Sequence, residues 1–192
     1  GISVIRSWTE LKNNGEEDLG VEYVSSFALL GIDKEGLLST DEKLEVLIAR
    51  NAWQKELIWN RFSMDQLGMS ISQPDKVRRS SQTISVGNTG NWSTKNYLPM
   101  GCLKNKETDS ILFWQIEQNG SWYWEISDQD GHMYLQLSGP TEHQSHWWKN
   151  LKPGDTFASV PVSVGSACGD VEEAAGELTK YRRAIRRKNE DN

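Results

Sequence analysis

The loop Gly87–Pro99 carries the residue types best suited to binding a small polar ligand. It is rich in glycine, so its backbone can turn tightly, and the amide of Asn91 directly precedes the indole of Trp92. Amide groups donate and accept hydrogen bonds, and an aromatic plane packs against apolar surface, which together suit a hydroxyl-rich ligand. An ordinary exposed loop with a buried tryptophan as its anchor accounts for the same residues equally well.

Two glutamates offer the carboxyl groups that glycoside hydrolysis uses as acid and base. Glu117 and Glu125 lie on neighbouring predicted strands. Alternation favours a structural interpretation, because Trp122 and Trp124 share one face of their strand whereas Tyr123 and Glu125 share the other. The tryptophan face is expected in the core, and the glutamate face toward solvent or another domain. We therefore predict no catalytic residue in this chain.

The segment His143–Trp148 combines two histidines with two adjacent tryptophans. His143 and His146 could begin a metal site, but a zinc site takes four ligands, and a third and fourth are not apparent. We predict no metal and no cofactor. Trp147 and Trp148 could stack on a sugar ring, although a loop packed on a partner domain is the simpler interpretation.

Alternating apolar residues predict that these candidates are positioned mostly by strands. Asn119 and Gly120, between two alternating runs, are the strongest short-range signal for a hairpin. Strands are predicted at residues 2–8, 19–31, 82–86, 110–118, 122–128, 133–138 and 157–164, with a loop at 141–150 and a loop or short strand at 64–72.

Residues 41–62 fit two patterns. Leu44, Leu47 and Ile48 have the spacing of a helix face, whereas Leu44, Val46 and Ile48 share one face of a strand. We favour strands here because the surrounding pattern is β.

An amphipathic helix is predicted over Gly169–Arg187. Its apolar stripe comprises Val171, Ala174, Ala175, Leu178, Tyr181 and Ile185. A domain seldom ends on such a helix without a core-forming partner after it, so we interpret the helix as a linker. The predicted fold is mainly β: an antiparallel β-sandwich domain over residues 1–168, followed by a helix and tail over 169–192 that lead to a missing domain.

The composition argues against several classes of function. The net charge is -6, with 21 basic and 27 acidic residues, which argues against a nucleic-acid surface. The basic cluster Lys180–Lys188 is expected to be a solvated helix end. No apolar run approaches the ~20 residues of a membrane span, so we expect no membrane partner. Cys102 and Cys168 form no disulfide framework, and free thiols favour a reducing, cytoplasmic environment.

Four segments carry a resemblance to the N-terminal β-supersandwich domain of glycoside hydrolase family 36, the α-galactosidase group. Trp53–Glu56 is similar to the family's Trp-Gly-Arg-Glu stretch, with Gln54 in place of the glycine. Glu22–Phe27 resembles an early strand, and Ser85–Leu103 resembles a loop region of that domain. The segment 169–187 resembles the helix with Tyr-Arg-Arg that precedes the catalytic (β/α)8 barrel.

The resemblance implies that catalysis belongs to a parent enzyme and not to this chain alone. In the family the nucleophile and the acid/base are aspartates of the barrel, and no matching motif occurs here. The parent would be a retaining α-galactosidase that hydrolyses terminal α-galactosides of oligosaccharides. Its partners would be the missing barrel of the same polypeptide, the galactoside, and further copies in a homo-oligomer.

The resemblance also implies a substrate contact, because this domain can lend a loop to the active site of a neighbouring subunit. The matching loop is Gly87–Pro99. Where relatives have Gly-Asp-Phe-Arg, this chain has Gly90–Ser93, so that Asn91 takes the place of the sugar-binding aspartate and Trp92 that of the aromatic residue, while the arginine is absent. Trp53 is a third candidate contact.

Two other functions remain as alternatives. A free-standing carbohydrate-binding module would use Trp92, Trp147 or Trp148 as stacking platforms. A complete small glycosidase would use Glu117 and Glu125. The noncatalytic domain is preferred because it explains the terminal helix.

Overall fold

The computed structural model of this chain describes residues 1–69, 82–129 and 131–186. The last residues of the predicted loop 64–72 and of the predicted segment 169–192 lie outside the described residues. Within them the chain forms two antiparallel sheets, two short ribbons and a C-terminal helix. The predicted mainly β fold with one C-terminal helix is therefore confirmed.

The first sheet has six strands. They are β1 (Val4–Ser7), β5 (Leu44–Ala52), β6 (Lys55–Ser63), β8 (Tyr97–Asn105), β9 (Ser110–Ile116) and β14 (Val162–Cys168). Their order across the sheet is β1-β14-β9-β8-β5-β6, and every adjacent pair is antiparallel.

The second sheet has four antiparallel strands in the order β4-β11-β10-β7. They are β4 (Ser25–Leu30), β7 (Ile84–Asn88), β10 (Trp122–Gln129) and β11 (His132–Ser138). The ribbons pair β2 (Glu10–Lys12) with β13 (Thr156–Ala158), and β3 (Leu19–Val21) with β12 (Lys149–Leu151). The helices are α1 (Thr40–Lys43), α2 (Glu142–Ser145) and α3 (Val171–Ile185), with a 3₁₀ turn at Asp65–Leu67.

The main core lies between the two large sheets. Trp122, Trp124 and Ile126 of β10 are buried, as the alternation predicted, because every second side chain of a strand faces the same side. Trp124 meets Trp114 of the first sheet edge-on, with ring centroids 5.1 Å apart. Gly101 makes room for this contact, since a Cβ there would lie 2.5 Å from the Trp114 ring.

The helix α3 covers the other side of the first sheet. Ala174 and Leu178 pack on Leu47, Cys102 and Phe113 in a second apolar cluster. These sheet residues alternate with the core residues of the same strands, so both faces of the sheet are buried here. The predicted helix is thus a packed element of this domain.

The predicted apolar stripe of α3 is only partly correct. Ala174, Leu178 and Tyr181 are buried, whereas Ala175 is exposed and Ile185 is 42% exposed. Ala175 follows a buried residue by one position, which turns it about 100° away from the sheet.

One predicted turn and several predicted boundaries were wrong. The strands on either side of Asn119 and Gly120 do not form a hairpin, because β9 belongs to the first sheet and β10 to the second. The predicted strand 19–31 is two strands in different sheets, β3 and β4, and the predicted strand 157–164 divides into β13 and β14. The predicted loop 141–150 contains α2 and part of β12, and the strands β2 and β8 were not predicted. Residues 41–62 form strands β5 and β6 as favoured, apart from the helical turn α1 at their start.

The strand β8 was missed because it contains Pro99, which normally argues against a central strand. The structure accommodates the proline at an irregularity of the ladder. Tyr97 pairs with Arg50 and Gly101 with Ile48, and the register with β5 shifts between these pairs. The lost N–H of the proline therefore falls where regular pairing is interrupted.

Candidate functional site

Strand pairing brings the β5–β6 turn and the loop before β8 to the same end of the first sheet. Arg50 of β5 pairs with Tyr97 of β8 on one side and with Ile58 of β6 on the other. The β5–β6 turn follows Arg50 and the loop before β8 precedes Tyr97, so both segments lie beyond the same end of the sheet. We call residues 50–58 and 89–97 together the hairpin–loop site.

Asn51 holds the two parts of the hairpin–loop site together. Its N–H donates to the carbonyl oxygen of Asn96 at 2.9 Å, and its side-chain Nδ2 donates to the carbonyl oxygen of Thr94 at 2.6 Å. Side-chain amides that bond the backbone in this way substitute for a regular ladder. The hairpin and the loop are therefore one connected unit.

The loop is also anchored to the second sheet. Asn88 Nδ2 donates to the carbonyl oxygen of Trp92 at 2.7 Å, and Trp122 Nε1 donates to that of Ser93 at 2.6 Å. Gly90 has φ +90°, which glycine adopts without steric cost, and its N–H donates to Ser121 Oγ at 2.9 Å. These bonds define the backbone on either side of Asn91.

All three residues predicted to bind substrate are exposed on this unit. Trp92 is 60% exposed and Asn91 is exposed, so the buried tryptophan that anchors the loop is Trp122 and not Trp92. Trp53 is 87% exposed at the tip of the two-residue turn between β5 and β6. The structure thus places Trp53, Asn91 and Trp92 at one end of the sheet on one hydrogen-bonded frame.

A cleft of about 410 Å³ lies on the same unit and was not predicted. Its lining includes Arg50, Lys55, Ile58, Asn60 and Tyr97. The Arg50 guanidinium carbon lies 5.5 Å from the centroid of the Tyr97 ring, a cation–π arrangement. The sequence did hold a signal, because Arg50 continues the face of Leu44, Val46 and Ile48 with a charge where a further core residue is expected.

An irregularity in the hairpin shapes this cleft. Ala52 pairs with Lys55, but Arg50 pairs with Ile58, so β6 has one residue more than β5 between these pairs. Leu57 has φ +53°, which is rare for a bulky residue, and its N–H donates to Asn51 Oδ1 at 3.4 Å. The extra residue places Lys55 and Ile58 on the same side of the hairpin.

The two glutamates considered as an acid and base pair do not share a site. Glu117 follows the first sheet and accepts hydrogen bonds from Tyr181 Oη at 2.5 Å and from Arg6 Nη2 at 2.7 Å. Glu125 belongs to the second sheet and accepts hydrogen bonds from the hydroxyls of Tyr123 and Tyr134. Each carboxylate belongs to its own network with different partners.

Glu125 lines a second cleft, of about 310 Å³, with Tyr23, Tyr123 and His143. Burial, and after it the charge of Glu125, raises the pKa of Tyr23 to about 12. Burial and the hydrogen bond to Glu125 also raise the pKa of Tyr123 above its usual value. The hydroxyls of Tyr123 and Tyr134 donate to the Glu125 carboxylate, whereas Tyr23 is affected by its charge.

The histidine and tryptophan segment is not assembled as a metal site. Among residues 1–69, 82–129 and 131–186, no group of three or more His, Cys, Asp or Glu side chains could hold a metal ion. Trp147 packs on Phe157, with ring centroids 5.5 Å apart, while Trp148 is 65% exposed.

Cys102 is buried and Cys168 is exposed, both as free thiols. No helix in the described part of the chain is long and apolar enough to cross a membrane.

Sequence comparisons found no match, whereas structural comparisons found several. No protein-family model and no curated protein sequence matches the chain. The fold is similar to that of the GH36 α-galactosidase AgaA from Geobacillus stearothermophilus in complex with stachyose, with a TM-score of 0.75 and 15% identity over 95% of this chain and 22% of that one.

Two further α-galactosidases give the same result. The galactosidase domain of the α-galactosidase–sucrose kinase AgaSK matches with a TM-score of 0.70 and 18% identity, over 91% of this chain and 21% of that one. The α-galactosidase from Lactobacillus brevis matches with a TM-score of 0.72 and 14% identity, over 94% of this chain and 22% of that one. The chain thus spans about one fifth of each solved protein. At this level of identity the likeness establishes the fold, and this chain has the fold of a part of the GH36 α-galactosidases, as the resemblance in its sequence predicted.

Proposed function

We propose that this chain is the noncatalytic N-terminal domain of an α-galactosidase-like enzyme of glycoside hydrolase family 36. The observation that carries this proposal is the shared fold over 95% of this chain and only 22% of a solved GH36 α-galactosidase. The remaining four fifths of such an enzyme leaves room for a catalytic barrel with its aspartates. In this proposal the linker helix and tail lead to that barrel, and the parent is a cytoplasmic homo-oligomer.

The hairpin–loop site is the part of this domain that we propose contacts the galactoside. Trp53 and Trp92 expose indole rings on a frame held by Asn51, Asn88 and Trp122. An indole plane covers the apolar face of a pyranose ring, and a frame ordered before binding lowers the entropy lost on binding. Asn91 offers an amide donor and acceptor beside Trp92. The barrel of the same polypeptide or of a neighbouring subunit would supply the rest of the site.

The experiment that tests this proposal compares two proteins on an aryl α-galactoside. One is the 192-residue chain and the other is the chain extended past Asn192 through its natural reading frame. We expect turnover only by the extended protein. Turnover by the 192 residues alone would contradict a noncatalytic domain and return attention to Glu117 and Glu125.

A carbohydrate-binding module is the second candidate function, favoured by the exposure of Trp53, Trp92 and Trp148 at 87%, 60% and 65%. A module binds sugar without any further domain. Calorimetric titration of the 192-residue chain with raffinose separates the two functions. Saturable binding that is lost in Trp148→Ala favours the module, because Trp148 lies outside the hairpin–loop site.

A further inference from the structure

We propose that the cleft of the hairpin–loop site binds an anionic group carried by a saccharide, a carboxylate or a phosphate ester, through Arg50 and Lys55. This inference rests on the proposed function and adds a substrate class to it: acidic galactosides in addition to neutral ones. Neither cation was among the predicted substrate contacts, and the galactosidases compared above are at most 18% identical to this chain.

The charge of the cleft differs from that of the whole chain. The chain has a net charge of -6, yet the described residues that line this cleft include Arg50 and Lys55 and no aspartate or glutamate. Within the described residues, no carboxylate forms an ion pair with either side chain. Glu56 follows Lys55 but accepts the N–H of Gln54 at 3.2 Å and does not line the cleft. Two uncompensated cations in one concavity produce a local positive potential.

Arg50 is placed to receive an oxyanion. Its guanidinium lies over the Tyr97 ring, 5.5 Å from the centroid, and stacking of this kind restricts the side chain before a ligand arrives. The planar guanidinium donates two parallel hydrogen bonds to a carboxylate or phosphate. A lysine ammonium nearby adds a point charge without geometric demands.

The irregularity in β6 is what brings Lys55 to the cleft. In a regular strand the residues at positions 55 and 58 would face opposite sides, because side chains alternate. The extra residue, with Leu57 at φ +53°, places both on the cleft side. Strained residues of this type persist where surrounding bonds hold them, as the bond between the Leu57 N–H and Asn51 does here.

The remaining lining favours a saccharide over a free inorganic ion. Ile58 and Tyr97 provide apolar surface, and Asn60 and Asn96 provide amide groups at the same cleft. Apolar carbon surface and amides together match the C–H and hydroxyl groups of a sugar ring. The volume of about 410 Å³ lies in the range of small-molecule sites.

Calorimetric titration of the extended protein tests this inference with four probes: methyl α-galactoside, methyl α-galacturonide, methyl α-galactoside 6-phosphate and inorganic phosphate. We expect at least one charged sugar to bind about fivefold more tightly than the neutral one, the effect of a partly exposed ion pair. The advantage should shrink as salt is raised, since exposed charges are screened. The charged sugar with the larger gain in affinity over methyl α-galactoside shows whether the cleft prefers a carboxylate or a phosphate ester.

Substitutions of the two cations test whether the preference for charged sugars arises in this cleft. Arg50→Gln and Lys55→Gln should each remove most of the charge advantage, measured within each variant as the ratio of charged-sugar to neutral-sugar affinity, because each removes one of the two cations that line the cleft. Lys12→Gln removes an equal charge from the exposed strand β2 and should change nothing. Thermal unfolding of each variant verifies that it is folded.

Three results would overturn the inference. They are equal or undetectable binding of the charged sugars, a charge advantage that survives both variants, and inorganic phosphate that binds as tightly as the phosphorylated sugar. The proposed function is judged separately, by activity of the extended protein on a neutral α-galactoside. If the extended protein is active on neutral α-galactosides and shows no preference for charged sugars, the proposed function stands and only the proposal of acidic substrates is rejected.

Discussion

Arg61 Nη2, on the edge strand β6, donates two hydrogen bonds to the carboxylate of Asp170, at 2.8 and 2.7 Å. Asp170 is also the N-cap of α3, where its carboxylate accepts the N–H of Val171 at 2.7 Å and forms a capping box with Glu173. One carboxylate therefore both begins the helix and ties it to the far edge of the first sheet.

We expect Asp170→Ala to lower the free energy of unfolding by about 1–2 kcal/mol, because it removes the N-cap and the ion pair together. Asp170→Asn should cost less, since asparagine still caps a helix but carries no charge. Urea denaturation of the three proteins at neutral pH measures both differences. Equal losses in the two variants would contradict a role for the cap.

The contact between Asp170 and Arg61 should stabilise the fold at neutral pH and lose this effect in acid. Burial alone would raise the pKa of Asp170, but the hydrogen bonds from Arg61 and Val171 hold that pKa below its usual value. The contribution of ionised Asp170 to the free energy of unfolding is therefore present above about pH 4, the ordinary aspartate pKa. It is lost as the pH falls through the lower pKa of Asp170 in the folded state. The stability difference between Asp170 and Asp170→Asn proteins should narrow below about pH 4. A constant difference down to pH 2 would disprove the linkage.

Gly101→Ala tests the packing of the two buried tryptophans. The added Cβ would lie 2.5 Å from Cζ2 of Trp114, a fully buried ring that meets Trp124 and cannot move freely. We expect a loss of about 1–3 kcal/mol in the free energy of unfolding, measured by urea denaturation. Gly20→Ala is the matched control, because no atom lies within 4 Å of its added Cβ. Similar effects at both glycines would contradict this explanation.

We expect the tyrosines around Glu125 to lose their protons at a higher pH than a free tyrosine does. Burial first, and then the charge of Glu125, raises the pKa of Tyr23 to about 12, against about 10 for a free tyrosine. Glu125→Gln should move part of the tyrosinate absorbance in a pH titration toward lower pH. The shift should be incomplete, because burial remains. Glu142→Gln, in the same cleft, is the control and should leave the curve in place.

The same tyrosines make the fold sensitive to alkaline pH. A proton held more tightly in the folded state contributes stability that is present below about pH 10, the unfolded pKa, and lost as the pH rises through about 12. Denaturation measured from pH 9 to 12 should show a steeper decline for the unsubstituted chain than for Glu125→Gln. An identical decline would show that Glu125 is not coupled to these hydroxyls.

Trp53→Ala and Trp92→Ala test the hairpin–loop site in the extended protein. Each should raise KM for a neutral α-galactoside about threefold to tenfold with a smaller change in kcat, because stacking contributes to binding and not to the chemical step. Both side chains are mostly exposed, so the midpoint of thermal unfolding should hardly change. Trp148→Ala is the control, because Trp148 is also mostly exposed, at 65%, but lies outside the hairpin–loop site. Unchanged KM in both variants would remove these residues from the site.

Local pattern was sufficient where a residue's environment depends on its own neighbours in the chain. The alternation in Trp122–Ile126 predicted the burial of Trp122, Trp124 and Ile126, because a strand has a side-chain period of two. Tyr123, on the face that was expected toward solvent or another domain, is also buried. The apolar stripe predicted α3 to within two residues at each end. The exposure of Trp92 was left open, because a tryptophan in a loop is buried or exposed according to what packs on it, and Trp122 took the anchoring role instead.

The cleft was decided only by the tertiary structure. Arg50 and Tyr97 lie 47 positions apart in the sequence and meet because β8 returns to pair with β5, past the irregularity at Pro99. Lys55 joins them because an extra residue in β6 reverses the side on which its side chain lies. The sequence by itself determined the periodicity of the strands and the helix. Their register, and with it the grouping of two cations, three amides and one aromatic ring, follows from pairing between distant segments, which no local pattern contains.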